Sequence, residues 1–174
     1  GVRYSEGLYK NTFIGRTFIM PGQAERKKSV KYKLVPQELE IRGKKVMIMD
    51  DSIVRGNTSR EIVRMLKDFG AKEVYFTVAC PPVKSPCFYG VDMPTKDELI
   101  AGNMTEDEIQ DYLKVDALLY QKIDGLVEAV TRKGDHHIDT PCMACLDGNY
   151  VANDIDDAKI AEMETMRVND RNGK

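Results

Sequence analysis

Apolar residues in the middle of the chain follow the spacing of a strand, then of a helix, then of a second strand. Val46–Met49 is a short apolar run after Gly43 and two lysines, which is typical of a strand buried on both faces of a parallel sheet. From Ser59 to Phe69, apolar side chains recur with helical spacing, and Gly70 then suits the positive backbone angle at a helix end. A second apolar segment, EVYFTVAC, follows. The order predicts a right-handed crossover unit.

Weaker patterns predict further helices and one more strand towards the C-terminus. Thr95 and Thr105 begin the sequences TKDE and TEDE, which match a capping box that satisfies the first amides of a helix. DALLYQ predicts a short strand, and DGLVEAV predicts a helix ended by Gly134. An acidic segment around Asp157–Met166 predicts the last helix.

The segment Gly15–Pro36 has the composition of a long exposed loop. It contains two prolines, two glycines and five basic residues between Arg26 and Lys33. Loops of this length inside a compact domain are usually lids, binding loops or disordered. A solvated charged loop or a nucleic-acid patch is the alternative.

Two acidic residues and a small polar turn lie between the first strand and the helix. In an open parallel sheet, ligands collect at the carboxyl ends of strands, and the amides at a helix start favour a phosphate. Gly56 lets the backbone approach a ligand, and Thr58 can donate a hydroxyl hydrogen bond. Asp50 and Asp51 would repel a phosphate unless a sugar diol or Mg²⁺ lay between them. The pattern therefore predicts a phosphorylated-sugar site; the alternative is a helix cap followed by an ordinary turn.

Composition narrows the class of protein. With 174 residues and 42% hydrophobic content, the chain is long enough for one globular domain with a core. A formal net charge of −2 and a pI near 5.8 argue against a dedicated nucleic-acid binder. No apolar run reaches the ~20 residues that span a bilayer, and the N-terminal residues do not match a signal peptide. We therefore expect a cytoplasmic protein with no membrane contact.

The cysteines suggest a metal. Cys142 and Cys145 have C-x-x-C spacing, and the distant Cys87 could supply a third thiolate, which suits an iron–sulfur cluster or tetrahedral Zn²⁺. Spacing alone does not choose between the two. Adjacent histidines at 136 and 137 are further metal candidates, although such pairs in polar loops are more often inert.

At this point the motifs resemble those of a known family. VMIMDDSIVRGNTS resembles the signature of type I phosphoribosyltransferases, and IGRTFIMPGQAERKKSVKYKL, PCFYGVDMPTKDELIA and CMACLDGNY resemble the glutamine phosphoribosylpyrophosphate amidotransferases. The resemblance runs from about Tyr4 to Tyr150. It implies an α/β fold with a parallel sheet flanked by helices. Residues 1–134 would be the distal part of a phosphoribosyltransferase domain with a lid at 15–36, and residues 135–174 a cluster-binding extension.

The resemblance also implies an activity, in which ammonia released from glutamine displaces pyrophosphate from phosphoribosyl pyrophosphate. Asp50 and Asp51 would contact the ribose hydroxyls and Mg²⁺, and the loop would hold the 5-phosphate. Many relatives have Thr-Thr where this chain has Asn57-Thr58, a change that keeps a small polar residue. The implied substrate-binding set is Asp50, Asp51, Ser52, Arg55, Gly56, Asn57 and Thr58. No general base is nominated; Arg26, Lys27 and Lys28 of the lid are the only catalytic candidates.

One branch of the family carries a four-iron, four-sulfur cluster, and Cys87, Cys142 and Cys145 fall on three of its ligand positions. The fourth ligand is expected before Gly1. Cys80 falls where that branch has no ligand, so we expect a buried strand residue, although it could complete a Zn²⁺ site.

Relative to the family, the chain lacks the N-terminal glutaminase domain with its Cys nucleophile and the loop that grips pyrophosphate. We therefore expect that it cannot run the glutamine-dependent reaction alone. The family further implies a homo-oligomer inhibited by purine nucleotides. A salvage-type phosphoribosyltransferase and a noncatalytic, nucleotide-sensing metal-binding module remain as alternatives.

Overall fold

The computed structural model describes residues 1–11, 34–131, 138, 140–152 and 155–171. Near the N-terminus, strands β1 (Leu8–Lys10) and β2 (Leu34–Pro36) pair antiparallel, with Tyr9 opposite Val35. Residues 34–36 were expected to belong to the long loop and are instead the strand β2. The rest of the predicted lid, together with Arg26, Lys27 and Lys28, lies outside the described residues.

A parallel three-stranded sheet with the strand order β3-β4-β5 confirms the predicted fold class. Its strands are β3 (Lys45–Asp50), β4 (Glu73–Val78) and β5 (Ala117–Tyr120). The helices are α1 (Glu38–Ile41), α2 (Asn57–Asp68), α3 (Ile100–Asn103), α4 (Glu106–Leu113), α5 (Ile123–Thr131), α6 (Ala144–Asp147) and α7 (Asp157–Arg171).

The crossover from β3 through α2 to β4 follows the sequence pattern. Helix α2 buries an apolar stripe that includes Ile62 and Leu66, and Gly70 has a φ of +84° just beyond the helix. Strand β4 is central and buries Val74 and Phe76 on one face. Burial of such side chains removes apolar surface from water, which is the main force that holds these elements together.

Two local predictions were wrong. Strand β3 is not buried on both faces: Met47 is 49% exposed and Met49 is 75% exposed. Successive side chains of a strand point to opposite faces of the sheet, and the face that carries Met47 and Met49 is left exposed by the described residues. A short helix does begin at the predicted place near Thr95, the 3₁₀ helix Lys96–Glu98, but the predicted side-chain cap is not formed there, and α3 follows at Ile100.

The described chain divides into two compact units. The first comprises residues 1–49, 56–77 and 107–119, and the second comprises residues 50–55, 78–106 and 120–174. The predicted boundary near residue 134 stays a prediction. In the second unit, Val83, Leu99 and Leu146 form a buried apolar cluster. The last helix was expected around Asp157–Met166, and α7 continues to Arg171.

Candidate functional site

In the second unit, the segment Asp50–Arg55 follows strand β3 and carries the two adjacent carboxylates. Its backbone is held by the chain that continues β4, because the Ala79 N–H donates to the Asp50 carbonyl at 3.0 Å and the Cys80 N–H donates to the Asp51 carbonyl at 2.9 Å. The Ser52 hydroxyl donates to Asp51 Oδ1 at 3.1 Å. Both acidic side chains are thus presented from a fixed backbone.

Burial raises the pKa of Asp50, and the neighbouring charge of Asp51 raises it further, while the Asp51 N–H, which donates to Asp50 Oδ1 at 3.0 Å, lowers it. The ionised Asp50 is therefore incompletely compensated by the protein. Hydroxyl donors or a hard cation would relieve this. Two carboxylates suffice for Mg²⁺, which keeps several of its waters.

The Arg55 side chain is engaged by a carboxylate that the sequence patterns did not indicate. Arg55 Nε donates to Glu98 Oε1 at 3.0 Å, and Nη2 donates to Glu98 Oε2 at 3.2 Å. The Ile100 N–H donates to the Val54 carbonyl at 2.9 Å, which holds the same two segments together. Since Glu98 is 43 residues from Arg55, no local spacing could have revealed this partner.

Gly56, Asn57 and Thr58 belong to the first unit and begin helix α2. Gly56 has a φ of 73° and stands at the N-cap without a side-chain hydrogen bond. Asn57 and Thr58 are exposed, and Asn57 Oδ1 accepts a hydrogen bond from the Tyr112 hydroxyl at 3.2 Å. A twelve-residue helix whose first amides lack a side-chain cap has the features of an anion-binding helix start.

All four cysteines lie in the second unit and are free thiols. Cys80 and Cys145 both pack against the Val83–Leu99–Leu146 cluster. The amides of Lys84 and Ser85 donate to the Cys145 carbonyl at 2.9 and 3.0 Å, so the segment that leads to Cys87 is bound to helix α6.

The Cys145 thiol is half-buried. Burial raises the pKa of Cys145, and the charges of Cys80, Cys87 and Cys142 raise it further. The predicted ligands Cys87, Cys142 and Cys145 lie in the same unit as Cys80, and the segment that leads to Cys87 is hydrogen-bonded to the Cys145 carbonyl. Cys80 is half-buried just beyond β4, and burial raises its pKa as well.

Among the residues that the structure describes, no group of three His, Cys, Asp or Glu side chains has the geometry to hold one metal ion. Thiolates on a single Zn²⁺ at about 2.3 Å would have their sulfurs less than about 4 Å apart. A four-iron cluster holds its cysteine sulfurs farther apart, because each one binds a different iron. By donor chemistry, three cysteine thiols could serve either a four-iron, four-sulfur cluster or a Zn²⁺ site. His136 and His137 lie outside the described residues.

An aromatic group is formed by the two residues that follow Cys87 and by Tyr150, and the sequence patterns did not indicate it. The rings of Phe88 and Tyr89 contact Tyr150, with centroids 5.3 and 6.2 Å apart. The Tyr150 hydroxyl donates to the Pro86 carbonyl at 2.8 Å, and the Tyr89 N–H donates to Cys87 Sγ at 3.4 Å. The guanidinium of Arg167, from α7, lies over the Phe88 ring.

Comparison with known proteins gives one consistent group of relatives. The chain is 50% identical over 150 residues to an amidophosphoribosyltransferase from Methanocaldococcus jannaschii, which covers 86% of this chain and 31% of that protein. It is 48% identical over 167 residues to an amidophosphoribosyltransferase from Pseudomonas aeruginosa, which covers 96% of this chain and 33% of that protein. No protein-family model matches the chain.

Two solved structures are also similar to this chain. A glutamine phosphoribosylpyrophosphate amidotransferase from Bacillus subtilis, complexed with ADP and GMP, is similar with a TM-score of 0.71 and 43% identity, over 87% of this chain and 33% of that one. A structure described as the allosteric regulatory enzyme of purine biosynthesis has a TM-score of 0.75 and 41% identity, over 94% of this chain and 35% of that one. The chain spans about a third of the length of these relatives.

Proposed function

We propose, from the premise that this chain is homologous over most of its length to part of the amidophosphoribosyltransferases, that it is the phosphoribosyl-binding portion of such an enzyme. The reaction is the transfer of glutamine-derived ammonia to phosphoribosyl pyrophosphate, which gives 5-phosphoribosylamine, glutamate and pyrophosphate and begins purine biosynthesis. The observation that carries the proposal is the pair of carboxylates Asp50 and Asp51, fixed at the end of β3 just before an uncapped helix start.

Each part of the segment has a separate role in this proposal. Asp50 and Asp51 accept hydrogen bonds from the ribose hydroxyls and bind Mg²⁺, which supplies positive charge to the departing pyrophosphate. Arg55, Gly56, Asn57 and Thr58 bind the 5-phosphate through a cation, backbone amides and small polar side chains. Ser52 orients Asp51 through its hydroxyl.

The chain's own contribution to the reaction is positioning and electrostatics. Transfer at the anomeric carbon passes through a cation-like sugar, which adjacent carboxylates stabilise, and a fixed ribose keeps the reacting carbon in line with the incoming ammonia. The basic residues Arg26, Lys27 and Lys28 would neutralise the pyrophosphate when the lid closes.

The remaining parts of the proposal concern cofactors and context. Cys87, Cys142 and Cys145 would be three ligands of a four-iron, four-sulfur cluster, which is supported by their place in one unit and by the hydrogen bonds that join the segment before Cys87 to the Cys145 carbonyl. Purine nucleotides regulate the enzyme, as the ADP and GMP bound to the B. subtilis relative suggest. Glutamine hydrolysis is carried out by a separate domain, the enzyme is a homo-oligomer, and it works in the cytoplasm. None of the helices in the described ranges could cross a membrane.

The test is a titration with phosphoribosyl pyrophosphate, with and without Mg²⁺, on the intact protein that carries this sequence. Asp50→Asn and Asp51→Asn should each weaken Mg²⁺-dependent binding at least about tenfold, because each removes a charged hydrogen-bond acceptor. Asp107→Asn is the matched control, since Asp107 is an exposed acid on α4. Equal affinities for all three variants would refute the role assigned to the acidic pair.

A further inference from the structure

Helix α7 reaches the Cys87 segment through one side chain, Arg167. Its guanidinium carbon lies 4.9 Å from the centre of the Phe88 ring, and its Nη2 donates to the Cys87 carbonyl at 2.5 Å. A planar cation stacked on a ring while it donates to a backbone oxygen is held in one orientation, which a lysine could not reproduce. Arg167 therefore fixes the backbone of Cys87 from a helix 80 residues away.

The second terminal nitrogen of Arg167 is unsatisfied. Nη1 is buried and has no hydrogen-bond partner within the described parts of the chain. A buried charged donor without an acceptor costs on the order of 1–3 kcal/mol or more, so such groups usually face an acceptor that another molecule supplies. The other terminal nitrogen, Nη2, contacts the Cys87 carbonyl, so an anionic cluster bound by Cys87 would be a candidate acceptor for Nη1.

The sulfur of Cys87 already has a donor. The Tyr89 N–H donates to Cys87 Sγ at 3.4 Å, and hydrogen bonds of this type to cysteine sulfurs are a main means by which proteins adjust iron–sulfur clusters. Two further hydrogen bonds fix the residues beside Cys87. The Tyr150 hydroxyl donates to the Pro86 carbonyl, and the Ala152 N–H donates to the Tyr89 hydroxyl at 2.9 Å. One hydrogen bond thus reaches the sulfur itself, and the residues on either side of Cys87 are held by two more.

We propose that Arg167 is a positioning residue for Cys87: it fixes the cysteine through its carbonyl and brings a free positive donor to the anionic cluster that Cys87 helps to bind. The inference rests on the proposed cluster. It adds that the C-terminal helix, through a single arginine, sets how tightly that cluster is held and how easily it is reduced. A positive charge near an anionic cluster favours the reduced state, which carries one more electron.

Arg167 can be replaced without detaching α7, because the helix has a second connection. Glu164 Oε1 accepts a hydrogen bond from the Lys96 N–H at 2.5 Å. The variants are Arg167→Gln, which removes charge and stacking, and Arg167→Lys, which keeps the charge. Met166→Gln is the matched control on the same helix, since Met166 is 55% exposed.

The first measurement uses the intact protein, purified without oxygen and loaded with iron and sulfide. Iron per chain, absorbance near ~400 nm and the midpoint potential are compared between variants. Arg167→Gln should shift the potential to more negative values and lose iron to a chelator about tenfold faster, which corresponds to one charged hydrogen bond. Arg167→Lys should recover the potential but not the retention of iron. Met166→Gln should match the unmodified protein.

The second measurement uses the metal-free, reduced protein, in which iodoacetamide alkylation of each cysteine is followed by mass spectrometry. Arg167→Gln should speed alkylation of Cys87 relative to that of Cys142, because the Cys87 backbone is no longer fixed. If the unmodified protein takes up no iron, the cluster and the proposal built on it are both overturned. If the unmodified protein loads normally and Arg167→Gln equals it in potential, iron retention and alkylation, only the role of Arg167 is overturned.

Discussion

Two arginines in the second unit show a difference between the segment Asp50–Arg55, proposed to bind a sugar phosphate, and the segment around Cys87, proposed to bind a cluster. Arg55 is already bound in a two-point contact by the Glu98 carboxylate, whereas Arg167 donates to a neutral carbonyl and has a buried Nη1 without a partner among the described residues. A phosphate must therefore compete with Glu98 for Arg55. Arg167 contacts the Cys87 carbonyl and the Phe88 ring but no carboxylate among the described residues, so an anion near Cys87 would not have to displace one. Arg55 is thus restrained by its ion pair with Glu98, whereas Arg167 is preorganised for an anionic ligand.

The largest effect should come from removing one thiol of the preorganised segment. Cys87→Ser should abolish the iron–sulfur absorbance of the loaded protein, because a ligand of the proposed cluster is lost. Cys80→Ser is the matched control, since Cys80 belongs to the same unit and is also half-buried, and it should retain the iron. Loss of iron in Cys80→Ser with retention in Cys87→Ser would reverse the assignment.

A smaller effect should follow from releasing Arg55. Glu98→Gln removes the competing charge, so the affinity for sugar phosphate should rise a few-fold, while the free energy of unfolding falls by about 0.5–1 kcal/mol, the usual size for an exposed ion pair. Calorimetric titration and urea unfolding measure the two quantities. Glu128→Gln, at an exposed position on α5, should change neither. A weaker sugar-phosphate affinity in Glu98→Gln would show that Glu98 helps Arg55 to bind.

The acidic pair should give a stability effect with a defined pH dependence. Because burial raises the pKa of Asp50, the folded state holds this proton more tightly than the unfolded state does. The free energy of unfolding therefore falls as the pH rises from the ordinary carboxyl range through the raised pKa, and the loss persists at neutral pH. Asp50→Asn should be slightly more stable than the unmodified protein at pH 7, even though it binds ligand less well.

Unfolding measured between pH 3 and pH 7 checks this sign. A loss of stability in Asp50→Asn at pH 7 would mean that the ionised carboxylate is favourably bound in the protein without a ligand. That result would remove the physical reason for expecting Mg²⁺ or a diol at Asp50.

The smallest expected effect concerns the Tyr120 hydroxyl, a second buried donor that is uncharged, unlike the Arg167 guanidinium. The Tyr120 hydroxyl has no hydrogen-bond partner within the described part of the chain, and burial, with smaller contributions from Glu106 and Cys80, raises its pKa to about 12. Tyr120→Phe should leave stability unchanged or raise it by up to about 1 kcal/mol. It should also remove a decline in stability between pH 10 and 12, where only the unfolded tyrosine ionises. Destabilisation by more than about 1 kcal/mol would reveal a partner for the hydroxyl.

Local periodicity was enough to predict the elements that carry the proposed phosphoribosyl segment. Helix α2, strand β4, strand β5 and the positive φ of Gly70 all follow from residues within one turn or one strand. Asp50 could be recognised as the end of β3 for the same reason. The exposure of Met47 and Met49 could not be predicted, since it depends on what packs against that face of the sheet.

The contacts that separate the two segments join residues far apart in the chain. Glu98 is 43 residues from Arg55, and Arg167 is 80 residues from Cys87. Neither pairing has a spacing that a sequence could disclose, because each depends on where a turn or a helix docks. The cysteines could be nominated as ligands from the C-x-x-C pattern, but the arginine and aromatic side chains around Cys87 could be found only from the fold.

The central claim, that residues 50–58 bind a ribose phosphate with the acids at the ring, is tested most directly by calorimetric titration of this chain with ribose 5-phosphate and with inorganic phosphate. We expect ribose 5-phosphate to bind more tightly than inorganic phosphate, and only ribose 5-phosphate to gain affinity from Mg²⁺. Equal affinities for the two ligands, unchanged by Mg²⁺, would contradict the claim and leave the segment as a helix cap followed by an ordinary turn.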